Sequence, residues 1–230
     1  VIYRKRKTIS IRIIPKDNIE IISPKALSIS YLKNVLIEKS SWIIKTLDKF
    51  ENLEEDFKEK QYTNGEVFYY LGEKYILTIV EDKNTQNNKN YVYIRISEDK
   101  LIINTNNNEK DFIKEELKKW YKIQSEKTVI NRLEVLKKES AIMNNLSPSL
   151  IKIKEQKKRW GSCTSNKIIY INSRISMAPI DVIDYILVHE FCHLVHMNHS
   201  KDFYNLVGEI LPKFRENERW LKENSYKLSL

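Results

Sequence analysis

The 230-residue sequence predicts an α+β protein. Three observations carry that expectation. Up to about residue 106, short apolar runs are separated by turn-forming residues, which reads as strands. From Phe112 to Lys138 apolar residues fall three and four apart with no proline or glycine, which reads as helix. Beyond Pro148, strand-like runs give way to helical ones again. Segregated runs of this kind favour α+β over the alternating α/β class. The chain accordingly reads as a β-rich N-terminal region with one helical segment, residues 1–106, followed by a second domain, residues 107–230.

Each element has its own signal. The alternation in TISIRIIP from Thr8, the turn-like Lys16-Asp17-Asn18 and IEIIS predict a hairpin. Ser28 and Ser30 are candidate caps for one helix through YLKNVLIEKSSWIIKTLDKF, where Leu32, Val35, Leu36, Trp42, Ile43 and Leu47 recur at helical spacing. ENLEEDFKEKQ reads as a charged linker or a frayed helix end. VFYYLG, EKYILTIV, YVYIRI and LIINT suit a small antiparallel sheet, divided by Gly72, the polar run Asp82 to Asn90 and Glu98-Asp99-Lys100. The run from Phe112 is one long helix or a kinked pair, ended by Pro148. LIKIKEQKKRWGSCTSNKIIYINSRI reads as two strands joined by a turn near Thr164 to Lys167. Pro179 at the first position and Asp181 in the first turn open the next helix. Ser200 starts a short helix that breaks at Pro212, and KFRENERWLKEN forms a last amphipathic helix.

Composition narrows the function classes. No apolar run approaches the roughly 18 residues of a membrane helix, and the basic VIYRKRK leads into alternating TISIRI rather than a signal-peptide core. A cytoplasmic location without membrane attachment is expected. The chain begins at Val1, so a short leader is expected ahead of it. Two cysteines, Cys163 and Cys192, are too few for a disulfide scaffold. The net charge of +9 and pI of about 9.3 suit a nucleotide or nucleic-acid partner, through clusters at Tyr3 to Lys7 and Lys154 to Trp160. A lysine-biased composition accounts for the same charge equally well. Nothing in the sequence sets the oligomeric state.

All four histidines lie in VIDYILVHEFCHLVHMNHSKDF, residues Val182 to Phe203. Four residues along a helix is about 40° around its axis, so His189 and His193 point the same way and can share one metal ion. Glu190, beside the first, can reach a metal-activated water without being a ligand. This is an H-E-x-x-H pattern. A catalytic zinc needs a third protein ligand and an open position. His196 lies seven residues from His189, roughly 10 Å of helix rise, too far to share the ion. His199 becomes available if the helix ends near Met197-Asn198, with Asn198 in the left-handed conformation that asparagine tolerates. His199 is therefore the third candidate, and His196 a supporting or surface residue. A closed structural zinc site, with Cys163 or Cys192 as fourth ligand, is the alternative.

RWGSC at Arg159 to Cys163, NSRI at Asn172 to Ile175, APIDVIDYILVHEFCHL at Ala178 to Leu194 and NHSKDF at Asn198 to Phe203 resemble the YgjP-like metallopeptidase family. The likeness extends more distantly to SprT-like zinc proteases. The basic N-terminal hairpin, SSWIIKTL and LGEKYIL also look like that family, so the resemblance covers nearly the whole chain. Metzincins share the six-residue spacing of the last two histidines but place a glycine where this chain has His196. The resemblance implies a gluzincin-like zinc core, with an antiparallel hairpin packed on the zinc helix, and a zincin-like metallohydrolase domain over 107–230. It also implies one Zn²⁺ per chain on His189, His193 and His199, with Glu190 catalytic.

The chemistry expected is metal-assisted hydrolysis, in which the ion lowers the pKa of its water toward ~7 and Glu190 takes the proton. Candidate oxyanion or substrate residues are Arg159, Trp160, Ser162, Arg174 and Tyr185. A strand around Lys154 to Cys163 can align an extended peptide. A peptidase acting on a peptide or protein substrate ranks first. A nucleotide phosphoanhydride hydrolase using Lys157, Lys158 and Arg159 ranks second, and a DNA-associated SprT-like protease third.

Overall fold

The computed structural model describes residues 1–14, 18–25, 27–51, 60–82 and 91–230, which fall into two compact units, Val1–Glu59 and Lys60–Leu230. The predicted turn at Lys16-Asp17, the polar run at 83–90 and most of the charged linker lie outside the described residues. Compactness divides the chain after Glu59, whereas the change in sequence character falls near Asn106.

In the first unit, β2 (Ser10–Ile14) pairs antiparallel with β3 (Asn18–Ser23), as the alternation predicts. A short β1 (Ile2–Tyr3) adds parallel to β3. Ser28 caps α1 (Ile29–Glu38) by accepting from the Tyr31 N–H at 3.3 Å. The single helix expected there is two, because α2 runs separately over Ser40–Glu51. The junction Glu38 to Ser41 holds no apolar residue to bury, and serines compete for backbone groups, so a break there costs little.

Among its described residues, the second unit is built on two sheets and five α-helices. β4 (Val67–Tyr70), β5 (Glu73–Glu81), β6 (Val92–Ser97) and β7 (Lys100–Thr105) form a sheet in the order β4-β5-β7-β6. It is mixed rather than antiparallel, since β5 and β7 run parallel. The reason is burial: β7 presents Leu101 and Ile103 to the core and takes the central place, while β6 carries exposed Tyr93 to the edge. The β4–β5 turn uses left-handed Leu71 and Gly72, at φ 50° and 89°. Its tip docks far along the chain: the Leu71 and Gly72 N–H groups donate to the Ser176 and Met177 carbonyls at 2.7 and 3.2 Å. A Cβ at Gly72 would sit 2.9 Å from Pro179.

The long helical run is one helix, α3 (Lys110–Glu139), whose buried stripe Ile113, Leu117, Tyr121, Ser125, Val129, Leu133 and Leu136 keeps three- and four-residue spacing. It ends at Ser140, not Pro148, because Ser140 caps a further short helix, α4 (Ala141–Asn145), through the Met143 N–H. The segment expected as two strands holds three: β8 (Leu150–Lys154), β9 (Gly161–Cys163) and β10 (Ile168–Asn172). The predicted turn at Thr164 to Lys167 joins β9 to β10 as an antiparallel hairpin, and β8 joins β10 in parallel on its other side. The polar stretch Glu155 to Arg159 has no partner strand and leaves the sheet between them.

After a 3₁₀ turn at Ile175–Met177, α5 (Ile180–Cys192) begins beside Pro179, with Asp181 in its first turn. It is buried nearly all round, packed by α3, by β9, by α6 (Lys201–Ile210) and by α7 (Phe214–Asn224). Arg132 of α3 grips Asp184 of α5 with two bonds of 2.8 Å. Ser125 Oγ, in turn, donates to the Ser173 carbonyl at 2.9 Å, so α3 holds both α5 and the segment that leads into it. No described helix is long and apolar enough to cross a membrane.

Candidate metal centre

α5 delivers His189, Glu190 and His193. The two imidazoles stand just over one turn apart, with ring centroids separated by 5.0 Å. The helix closes at His193, earlier than the sequence suggests. There the Leu194 and Val195 N–H groups turn back three residues, to the Phe191 and Cys192 carbonyls at 2.9 and 3.1 Å. Asn198 does not adopt the left-handed conformation expected of it. The early closure returns the chain to the helix end and brings the His199 ring 4.9 Å from His189 and 4.8 Å from His193. One ring nitrogen from each of the three lies within 4.8 Å of the others, and neither cysteine joins the group.

Neighbouring groups fix the trio. Phe203, fully buried, sits at 4.9, 4.6 and 4.9 Å from the rings of His189, His193 and His199. Its place is set by Ser200, which caps α6 by accepting from the Phe203 N–H at 3.3 Å. His193 Nδ1 donates to the His196 carbonyl at 2.9 Å, which leaves the Nε2 lone pair free. His196 thus contributes its backbone, while its side chain stays outside the group.

Burial, and after it the charges of His193 and His199, push the His189 imidazole down to about 4. Burial lowers His193 as well. Both are neutral at pH 7, the form a metal takes. Burial drives the Glu190 carboxyl up to about 8 against the opposing pull of Arg159. Glu190 Oε2 and His189 Nδ1 are buried without a hydrogen-bond partner, and the Nε2 atoms of His189 and His199 face each other at 3.0 Å. A divalent cation fits this arrangement: it uses the imidazole lone pairs and supplies the positive charge that lets the buried carboxyl ionise. A three-imidazole set suits zinc, copper, iron or nickel. Burial raises the Cys163 thiol, with the Glu190 charge adding to it, and pushes Cys192 up to about 12, so neither offers a thiolate at neutral pH.

Gly161, on β9, is a position that sequence reasoning misses. A Cβ there would stand 2.5 Å from Glu190 Cγ and Oε1, so only glycine lets the strand pass the carboxylate. The signal was present in RWGSC as a lone glycine in a strand, a mark of close backbone approach. Phe203 is the other omission; no pattern announces which apolar residue will floor a cluster.

Gly161, His189 and Glu190 are shared by two lobes of one cleft. The larger, about 350 Å³, adds Arg159, Ser162, Cys163 and Met197. The smaller, about 200 Å³, adds Trp160, Tyr185, Ile186 and Leu221. Four of the five predicted accessory residues therefore line the cleft. Arg174 does not: its guanidinium donates to the Leu228 and Gln156 carbonyls at 2.9 and 3.3 Å and stacks 5.6 Å from the Trp160 ring. Lys157 lines the separate cavity beside Arg174, so of the proposed phosphate-holding residues Arg159 lines the histidine cleft and Lys157 does not. The proposed substrate strand is continuous only over Gly161 to Cys163, where β9 forms the sheet edge.

A family model described as YgjP-like, metallopeptidase domain matches residues 7–224. No curated protein matches the chain.

Proposed function

The chain belongs to the YgjP-like metallopeptidase-domain family, and on that premise we propose that it is a zinc-dependent peptidase with His189, His193 and His199 as ligands and Glu190 as proton carrier. The observation that carries the reading is the convergence of three imidazoles beside an unpaired buried carboxyl oxygen. Zinc bound there would supply Lewis acidity and a water nucleophilic at neutral pH. Glu190 accepts the proton of the attacking water at its carboxylate and returns it to the leaving nitrogen. Gly161 keeps that carboxylate clear of β9. Tyr185, Ser162 and Arg159 are the candidates for stabilising charge that develops on the attacked oxygen, since each lines the cleft. The free edge of β9 is suited to pairing with an extended peptide. Arg174 supports the loop around Trp160 from behind.

Elemental analysis and digestion of an unstructured peptide mixture test the reading together. About one zinc per chain is expected in wild type and Glu190→Gln, with cleavage confined to wild type and both lost in His199→Ala. Hydrolysis by Glu190→Gln at the wild-type rate would remove the mechanism.

A further inference from the structure

We propose that the smaller lobe of the cleft is a side-chain pocket that takes an aromatic or large aliphatic residue of the substrate, next to the bond presented to Glu190. The proposal rests on the peptidase reading for its meaning but not for its test.

Apart from His189 and Glu190, the lining is mostly apolar and firmly held. Tyr185 and Ile186 are 6% and 3% exposed on α5, and Tyr185 stacks on Phe214 with centroids 6.4 Å apart. Trp160 closes one side, backed by Arg174, and Leu221 of α7 forms the other. Such a cavity is already built before ligand arrives. An apolar protein cavity of about 150 Å³ accommodates benzene, so the volume here, about 200 Å³, has room for one phenyl or isobutyl group. No described lysine or arginine lines it, and Glu190 in its lining disfavours an anionic group, so a phosphate or acidic side chain is the wrong occupant. The other lobe has the opposite character, with Arg159, Ser162 and the exposed His199. Because Gly161, His189 and Glu190 belong to both, a group seated in the apolar lobe places its own backbone over the carboxylate. The lobes thereby distinguish the two sides of the bond.

The test is equilibrium binding of N-acetyl amino-acid amides to the full chain, followed by protein-observed NMR. The phenylalanine and leucine amides are expected to bind about tenfold or more tighter than the alanine amide, the margin that burial of a large apolar side chain supplies. Lysine and glutamate amides should gain nothing. Leu221→Trp, which fills the lobe, should erase the preference, and Leu221→Glu should erase it by a different route, so a folding defect in one leaves the other decisive. Equal binding of the alanine and phenylalanine amides, or a preference unchanged in both variants, overturns the proposal. Peptide-mixture digestion on the same samples separates the two readings. Selective binding without any cleavage would sink the peptidase and leave the pocket; cleavage indifferent to neighbouring side chains would sink the pocket and leave the peptidase.

Discussion

Glu190 is surrounded by constraints that make single-residue changes informative. Gly161→Ala puts a methyl group where the carboxylate now lies, 2.5 Å from its Cγ. Since a misplacement of about 1 Å near reacting groups can cost on the order of a hundredfold in rate, we expect a loss of about that size in turnover with zinc content unchanged. Steady-state kinetics and elemental analysis on the same preparation check it; full activity would mean that Glu190 has room the structure does not show. Phe203→Ala removes the ring beneath all three histidines and should weaken zinc binding, by about 10- to 100-fold if it acts as outer support to ligands usually does. Competition with a chelator of known affinity reads that directly. The grouping of the histidines was legible because helix periodicity alone puts His189 beside His193. The lone strand glycine Gly161 signals a close approach but not its partner, and nothing local marks Phe203, because both meet the site through tertiary packing.

At the level of elements, the link between α3 and α5 is the most exposed to test. Arg132 and Asp184 are bound twice at 2.8 Å, with side chains 23% and 9% exposed. Arg132→Met keeps the hydrocarbon stem but strands a mostly buried carboxylate, at an expected cost of about 3 kcal/mol. The denaturation midpoint should fall accordingly, and Asp184→Asn introduced together with Arg132→Met should recover part of the loss. An unchanged midpoint would show the pair to be ornamental. Element types were largely readable, as α3 and α5 show, because their apolar spacing is long and uninterrupted. Pairing was not. LIINT and YVYIRI look alike as strands, and only the core's demand for Leu101 and Ile103 decides that β7 sits inside and turns the sheet mixed. The early end of α5 was equally hidden, since VHEFCHLVHM continues in helical phase, and nothing in that phase announces the local His193 to His196 bond across the turn.

For the whole molecule, all three candidate ligands lie in the unit Lys60–Leu230. Zinc should therefore stabilise that unit in particular. At free zinc about 100-fold above Kd the gain is about 2.7 kcal/mol, and chelation should remove it. Hydrogen exchange localises the effect: amides of α5 and α6 are expected to lose protection on chelation, while those of β2 and β3 do not. Equal loss in both sets would contradict a site confined to the larger unit. The net charge of +9, the one whole-chain property that pointed to nucleic acid, does not converge on the histidine cleft, where Arg159 is the sole lysine or arginine among the described lining residues.

The tip of the β4–β5 hairpin donates to carbonyls at Ser176 and Met177, and Arg174 donates to Leu228, the third residue from the end of this sequence. During synthesis, Leu71 has to wait for a partner 105 residues downstream. At elongation rates of about 5–20 residues per second, that is roughly 5–20 s with the hairpin made and its docking site not yet in existence. The 3₁₀ turn that leads into the helix bearing His189 and His193 is thus docked late, against a hairpin that emerged long before it. A nascent chain halted anywhere before Ser176 holds a formed hairpin whose tip can bind only water.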